Sequence, residues 1–239
     1  MFRPSRFDIA AYERDPQSFS SEFGAAVEHE KAVSLMGVNQ DALTRLYQEI
    51  GLFFDSPDRE KYGNYVRDPK SRRNIFQRYK PSQHDELSQF PALQESLSIV
   101  YENLNDIALV VVKALANYFE NDKALQKFNE RESGLHLQRY DPMSWFDTFF
   151  SSEKVRLKGH HHHFCTLLPP ATVEGLEILT APEKWEAVSP EEGSALFLPG
   201  EWADFPYGLE GLQAVEHRVV APAREKRRLQ RYVSIVEFL

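Results

Sequence analysis

The sequence predicts an α+β protein whose core is a double-stranded β-helix, or jelly roll, buttressed by N-terminal helices. In the first half of the chain, apolar residues recur at the spacing of helices that bury one face. After Glu132 the pattern changes to short apolar runs separated by Pro, Gly and acidic turns. Many short strands at such intervals indicate a β-sandwich or barrel.

We expect one domain over residues 1–239, because no internal repeat or low-complexity linker separates the two halves. Residues 1–132 are expected to form mainly helical support, and residues 133–239 the jelly-roll core. Hydrophobic residues make up 42% of the chain, with 17 Phe and 10 Tyr, which is enough to fill a sizeable core.

The first half is predicted to contain short strands, helices and one long loop. A helix is expected after Asn39 or Asp41, since either side chain can accept hydrogen bonds from first-turn amides. The longest helix begins at Pro91 and runs to about Phe119. The remaining predictions are strands at 7–9 and 32–36, a loop over 62–82 and a short helix at 122–129.

The second half is predicted to consist of β-strands joined by turns. Each predicted strand is a short apolar or alternating run bounded by turn residues. The runs are residues 135–140, 155–168, 175–180, 185–188, 195–198, 213–220 and 232–239.

Composition and charge exclude several classes of function. The net charge is −8, with 36 acidic against 28 basic residues, which argues against nucleic acid or an anionic membrane as the main partner. A single cysteine, Cys165, excludes an internal disulfide and is expected to be a small buried core residue. The N-terminus lacks the apolar core of a signal peptide. We expect a cytoplasmic monomer or small homo-oligomer.

Four consecutive histidines, His160 to His163, are half of the eight in the chain. Neutral imidazole is the commonest metal ligand in proteins. Because side chains alternate along a strand, His161 and His163 would share one face, and His160 and His162 the other. Either pair could supply two ligands. The alternative is that these histidines are solvated or packed and bind no metal.

The third ligand is expected to be His217, which lies in a predicted strand 54 residues after His163. In a jelly roll, an early strand and a strand near the far end meet at the mouth of the barrel. Three ligands on one face leave positions open for substrate and O2, as in non-haem iron oxygenases.

The chain resembles the isopenicillin N synthase-like group of Fe(II)- and 2-oxoglutarate-dependent dioxygenases over nearly its whole length. The resemblance rests on the order of several segments rather than on any one of them. They are Leu46–Lys61, Leu135–Pro142, Thr166–Leu168 followed by Gly175–Leu176, Gly193–Leu198 with Gly200–Glu201, Ala214–Val220 and Ser234–Phe238.

The family's first two ligands are a histidine and, two residues later, an aspartate. Carried over to this chain, the resemblance implies the metal ligands His161, His163 and His217, with histidine in place of the aspartate. A slipped register would use His160 or His162 instead. Ungapped alignment through Thr166 places Gly159 and His161 at the two positions.

Family members that use 2-oxoglutarate bind it with an arginine two residues before a serine on the last strand. If Ser234 matches that serine, Tyr232 stands at the arginine position, and Arg231 would point to the other face. Gln138 and Tyr140 match residues that contact the co-substrate or substrate. The resemblance therefore implies a substrate-binding set of Gln138, Tyr140, Tyr232 and Ser234, with use of 2-oxoglutarate doubtful.

We therefore expect an O2-activating oxidoreductase that uses Fe(II), or alternatively copper, to oxidise a small-molecule substrate without obligatory 2-oxoglutarate. Two alternatives remain open. One is a conventional Fe(II)/2-oxoglutarate dioxygenase in which Arg218, Arg228 or Arg231 replaces the missing arginine. The other is a jelly roll that binds a metal or ligand without catalysis.

Overall fold

A computed structural model gives the fold of the protein. It describes residues 1–69, 72–80, 87–130, 133–143, 155–159, 163–203, 209 and 211–238, without the side chains of 78, 129, 130, 155–159 and 202. Helices are concentrated in the first half of the described chain and strands in the second. The described helices are α1 (Ala10–Arg14), α2 (Pro16–Glu30), α3 (Gln40–Asp55), α4 (Pro91–Tyr118) and α5 (Lys123–Glu130).

The strands form two sheets that face each other as a double-stranded β-helix. The larger has eight strands in the order β1-β2-β10-β7-β12-β5-β4-β3, and the smaller has four in the order β6-β11-β8-β9. All described pairings are antiparallel except that of β1 with β2. Their bounds are β1 (Arg6–Asp8), β2 (Val33–Met36), β3 (Tyr65–Asp68), β4 (Arg73–Tyr79), β5 (Gly134–Tyr140), β6 (Val155–Gly159), β7 (Cys165–Leu168), β8 (Leu176–Ala181), β9 (Lys184–Ala187), β10 (Ser194–Pro199), β11 (His217–Val220) and β12 (Arg231–Phe238).

The larger sheet is covered on both faces. On one face Leu135, Leu167 and Val236 join the main hydrophobic core, which also contains the buried sides of α2, α3 and α4. On the other face a second apolar cluster, including Leu168 and Leu196, lies between the two sheets. Successive residues of a strand therefore alternate between the helix layer and the interior of the barrel. This alternation decides which side chains can reach an internal site.

The predicted fold class is confirmed, as are most of the predicted elements. Asn39 begins α3 as expected, because its side chain accepts a hydrogen bond from the amide of Ala42 at 3.1 Å. The run expected as one strand at 155–168 contains two strands, β6 in the smaller sheet and β7 in the larger.

The prediction that residues 62–82 are mostly loop is wrong. These residues contain β3 and β4, which extend the larger sheet beyond β5. The strand β4 is paired on both sides, and its Phe76 and Tyr79 are buried in the main core. The Arg and Asn residues around these apolar side chains hide the strand pattern in the sequence. The helices α1 and α2 were also not predicted. Among the described residues, no helix has the length and apolar character needed to cross a membrane.

Candidate functional site

A cavity of about 210 Å³ lies between the two sheets of the barrel. The larger sheet provides most of its charged and polar side chains, from β4, β5 and β12. The smaller sheet contributes His217 and apolar residues of β8 and β11. Much of the wall is apolar: Leu168, Val173, Leu176, Val188, Val219, Val233 and Ile235. A largely apolar cavity with a few polar groups is typical of a small-molecule pocket.

Arg231 at the start of β12 faces this cavity, and the expected orientation of the last strand is wrong. Arg231, Val233, Ile235 and Glu237 line the cavity, whereas Tyr232 and Ser234 do not. The latter two lie on the helix side. The Ser234 hydroxyl is 3.1 Å from the hydroxyl of Tyr47 on α3, and the Tyr232 ring stacks on that of Tyr47. Ser234 therefore does not mark the inward face of β12.

The Arg231 guanidinium is buried and incompletely paired. The residue is 5% exposed, its Nε donates to the carbonyl of Val173 at 2.8 Å, and its Cζ lies 5.1 Å from the ring centroid of Tyr140. Nη1 is buried and has no hydrogen-bond partner among the described residues. Burial lowers the pKa of Arg231 from its usual value. An unpaired donor on a buried cation is costly, and an anion in the cavity would remove that cost.

Gln138 and Tyr140 lie on β5 and line the same cavity. The Tyr140 hydroxyl donates to the side-chain oxygen of Gln138 at 3.2 Å. Tyr140 is directly opposite Arg231 in the pairing of β5 with β12. Their predicted role in binding a substrate or co-substrate stays a prediction.

His217 begins β11 and faces the cavity from the smaller sheet. The residue is 8% exposed, and its Nδ1 lies 3.1 Å from the carbonyl oxygen of Val215. A carbonyl at this distance fixes Nδ1 as the protonated nitrogen, which leaves Nε2 as the nitrogen that would coordinate a metal. Across the strand pair, Gly159 lies directly opposite His217. On its other side His217 lies directly opposite Ile178 of β8, so its β6 neighbour has no side chain and its β8 neighbour is apolar.

Of the histidine run, His163 is described, whereas His160, His161 and His162 lie outside the described residues. His163 precedes β7, and its Nε2 is 3.0 Å from Oε2 of Glu237. His217 lines the cavity from the smaller sheet, and His163 contacts Glu237, which lines the same cavity from the larger sheet. The assignment of His161, His163 and His217 as ligands stays a prediction.

Glu237 is a cavity residue that was not predicted. Its Oε2 is 3.0 Å from Nε2 of His163 and 3.1 Å from Nε2 of His136 on β5. Glu237 therefore places a carboxylate beside His163, one of the predicted metal ligands. The sequence does indicate the orientation of its partner His136. That residue alternates with the buried Leu135 and Leu137, so its side chain points into the barrel.

Within the described part of the chain, no group of three His, Cys, Asp or Glu side chains could hold a metal ion. A metal centre here would therefore need at least one ligand from outside the described residues. Cys165 is fully buried and free, and burial raises the pKa of its thiol well above the usual value. The expectation that it is a small core residue is confirmed.

No family model and no curated protein sequence matches the chain. Solved structures do match it over almost its full length. A Caulobacter crescentus protein, provisionally assigned to the 2OG-Fe(II) oxygenase family, superposes with a TM-score of 0.80 at 20% identity, covering 100% of this chain and 87% of that one. The fold is that of the 2OG-Fe(II) oxygenases.

Two further structures with this fold were solved with bound 2-oxoglutarate. The Arabidopsis thaliana dioxygenase for auxin oxidation 1 gives a TM-score of 0.81 at 16% identity, covering 99% of this chain and 92% of that one. A full-length Neurospora crassa protein, in complex with 2-oxoglutarate and 5-formyluracil, gives a TM-score of 0.77 at 14% identity, covering 98% of this chain and 83% of that one. At these identities the likeness establishes the fold alone.

Proposed function

We propose that the protein is an Fe(II)- and 2-oxoglutarate-dependent oxygenase that oxidises a small molecule. The observation that carries the proposal is the buried Nη1 of Arg231, a cavity residue, which no described hydrogen-bond acceptor satisfies. This is the alternative in which Arg231 takes over the role of the family's arginine. Arg231 was expected to point outward, and its inward orientation supports the use of 2-oxoglutarate.

The co-substrate fits the side chains around Arg231. A guanidinium presents a planar fork of donors that matches a carboxylate, and a charge-assisted hydrogen bond is stronger inside a water-poor cavity. Tyr140 lies opposite Arg231 and adds a hydroxyl on the same wall. Arg218 and Arg228 are less suitable. Arg218 pairs with Glu177 and stacks on Trp185, and Arg228 is exposed.

The proposed metal ligands are His161, His163 and His217, with Glu237 as the nearby carboxylate. His217 is oriented by the carbonyl of Val215, which is the arrangement common for metal-bound imidazole. Because Gly159 faces His217, the sequence alternation favours His161, two residues further on, as the partner of His217. Glu237 would either orient His163 or bind the metal in its place.

The proposed metal and co-substrate sites lie at different levels of one cavity. Val219, two residues after His217, packs with Tyr140 and Val233 near Arg231. His217 lies two residues before Val219, on the same face of β11. Two residues of a strand span roughly 7 Å, so a short dicarboxylate could reach from Arg231 toward the histidines.

Fe(II) bound there would supply the O2-activating redox chemistry of the reaction. The chain's own residues would do the remaining work. Arg231 would hold the distal carboxylate of 2-oxoglutarate, and Val215 would keep the imidazole of His217 oriented. The apolar wall around Leu176 and Val219 would exclude water, which strengthens each charged contact.

The structural neighbours support iron and 2-oxoglutarate in this proposal. The auxin-oxidation dioxygenase and the Neurospora crassa protein were each solved with 2-oxoglutarate, and the JOX2 structure with 2OG, Fe and JA has a TM-score of 0.78. Nothing in these comparisons favours copper or a reaction without 2-oxoglutarate. Iron is therefore the metal that we propose.

The test is the formation of succinate from 2-oxoglutarate by the Fe(II)-loaded protein under O2. Wild type should form succinate, at least slowly in the absence of the natural substrate. Arg231→Gln should lose about 10- to 100-fold of this rate at limiting 2-oxoglutarate, because a charged hydrogen bond of about 1.5–3 kcal/mol is lost.

The matched control is Arg218→Gln, which removes an arginine outside the cavity and should leave the rate unchanged. Melting temperatures of both variants would exclude unfolding as the cause. Absence of succinate from iron-loaded wild-type protein across a metabolite panel would contradict the proposal.

A second function, ligand binding without catalysis, is favoured by one observation. Among the described residues, no three His, Cys, Asp or Glu side chains are arranged to hold a metal ion, so the metal centre depends on residues outside them. Iron analysis of untagged protein separates the two functions. Stoichiometric iron that is lost in His217→Ala supports the oxygenase, whereas wild-type protein that binds 2-oxoglutarate but no metal supports the binding function.

A further inference from the structure

A second arginine, Arg73 on β4, faces the cavity beside Tyr140. In the sheet, Arg73 and Arg231 each lie directly opposite Tyr140, from β4 and β12 respectively. Residues directly opposite in neighbouring strands share a face, and all three line the cavity. The Tyr140 side chain is therefore flanked by a cation on each side, only one of which is needed to hold 2-oxoglutarate.

The Arg73 guanidinium contacts a charged and a neutral side chain at the cavity wall. Its Nη2 lies 3.2 Å from Oδ2 of Asp68, and the Arg73 side chain is 14% exposed against 30% for Asp68. Its Nη1 donates to the neutral side-chain oxygen of Gln138 at 3.3 Å. Asp68 holds Nη2 of the guanidinium, and the uncharged oxygen of Gln138, another cavity residue, accepts from Nη1.

The side-chain oxygen of Gln138 is an acceptor that a ligand oxygen could replace. It accepts from both Arg73 and the hydroxyl of Tyr140, at 3.3 and 3.2 Å. A carboxylate oxygen accepting from the same two donors would form a stronger, charge-assisted hydrogen bond to the guanidinium. An anionic ligand could therefore displace the amide of Gln138 from Arg73.

The remaining wall of the cavity specifies the other end of such a ligand. Apolar side chains from both sheets surround Arg73, Tyr140 and Arg231, and they would bury a hydrocarbon or aromatic body. The residues are Leu168, Leu176, Val188, Val219, Val233 and Ile235.

We propose that Arg73 is a specificity-determining residue that binds the carboxylate of the oxidised substrate, which is a monocarboxylic acid with an apolar body. The inference rests on the proposed function in one respect, that 2-oxoglutarate occupies Arg231. Arg73 then selects acids over neutral analogues of the same shape, because an uncharged amide gains much less from the guanidinium.

The test is calorimetric titration of phenylacetate and hexanoate, each compared with its primary amide, into anaerobic Fe(II)-loaded protein with and without saturating 2-oxoglutarate. On wild type, at least one acid should bind about tenfold or more tightly than its amide, equivalent to about 1.4 kcal/mol. Arg73→Gln should reduce this ratio to about one, and Arg73→Lys should retain part of it. The control Arg67→Gln, an exposed arginine on β3, should leave the ratio unchanged.

The outcomes distinguish this inference from the proposed function. An acid preference that survives Arg73→Gln, or the absence of any preference for either acid on wild type, would overturn the inference. Loss of 2-oxoglutarate binding in Arg73→Gln as severe as in Arg231→Gln would also overturn it, because Arg73 would then belong to the co-substrate site. If wild type fails to bind 2-oxoglutarate yet shows an Arg73-dependent acid preference, the proposed function fails and the acid site stands.

Discussion

At the scale of single residues, the site depends on which polar groups point into the barrel. Arg231 and Glu237 on β12 point inward, at opposite ends of the same strand face. From the sequence, Arg231 was predicted to point outward and Glu237 was not predicted at all. The reason is that Ser234, the expected marker of the inward face, points to the helix layer. His217, by contrast, could be predicted as an inward-facing residue from its strand and its neighbours.

Glu237 offers a residue-scale prediction about the metal. Glu237→Gln keeps the shape of the side chain but removes the charge that faces His136 and His163. Loss of a carboxylate beside a metal-binding histidine typically weakens metal affinity by about 10- to 100-fold. Anaerobic Fe(II) titration should show this weakening for Glu237→Gln and none for Glu192→Gln, an exposed control. Equal iron affinity in the two variants would argue against a role for Glu237.

Tyr47 offers a residue-scale prediction about stability at high pH. Its hydroxyl is buried against Ser234 and the carbonyl of Pro170, and burial raises its pKa to about 12 from an ordinary 10.0. In the unfolded protein the Tyr47 phenol ionises above pH 10, whereas in the folded protein it stays protonated until about pH 12. Ionisation therefore stabilises the unfolded state, and the free energy of unfolding falls as pH rises from 10 toward 12. The loss is about 2–3 kcal/mol.

The measurement is urea unfolding of wild type and Tyr47→Phe between pH 9 and 11.5. The stability of wild type should fall more steeply than that of Tyr47→Phe, which has no hydroxyl to ionise. Cys165 contributes equally to both proteins and cancels in the difference. Parallel pH profiles would show that the Tyr47 hydroxyl is not buried as described.

At the scale of elements, the two faces of β12 explain why its phase was misjudged. Val233 and Ile235 pack inside the barrel, while Val236 and Phe238 pack against the helix layer. A strand covered on both sides has no contrast between an apolar and a polar face, so its sequence does not reveal which residues point inward. The pairing with β5 supplies this information, and only the structure gives it.

The packing of α2 on α4 gives an element-scale prediction. A Cβ at Gly24 on α2 would overlap the ring of Tyr118 at the end of α4. Gly24→Ala should therefore destabilise the protein by about 1–3 kcal/mol, which exceeds the gain of about 1 kcal/mol in helix propensity. Urea unfolding would measure the change. Gly63→Ala is the control, because no described atom lies within 4 Å of the added methyl group, and similar stabilities of the two variants would contradict the described packing.

At the scale of the whole molecule, the layered architecture could be predicted but the site only in part. The order of helix-type and strand-type patterns was sufficient for the double-stranded β-helix, and Asn39 and Pro91 located the starts of α3 and α4. The helix α2 was missed because Phe19, Phe23 and Val27 form a narrow stripe among polar residues. The start signal of Asp15 before Pro16 would have revealed it.

The site was harder to predict because it is assembled from distant strands. Arg73, Gln138 and Arg231 come together only through the pairing of β4, β5 and β12. No local spacing in the sequence records these pairings. A cavity that contains an unsatisfied arginine donor is a property of the folded barrel, and it shifts the expected chemistry from a reaction without 2-oxoglutarate to one that uses it.

The most direct test of the account is a calorimetric titration of 2-oxoglutarate into the anaerobic Fe(II)-loaded protein. Wild type and Arg218→Gln should bind with equal affinity, and Arg231→Gln should bind about 10- to 100-fold more weakly. Arg231→Lys should fall between them, because it keeps the charge but not the planar fork. Failure of wild type to bind, or binding by folded Arg231→Gln with wild-type affinity, would contradict the account.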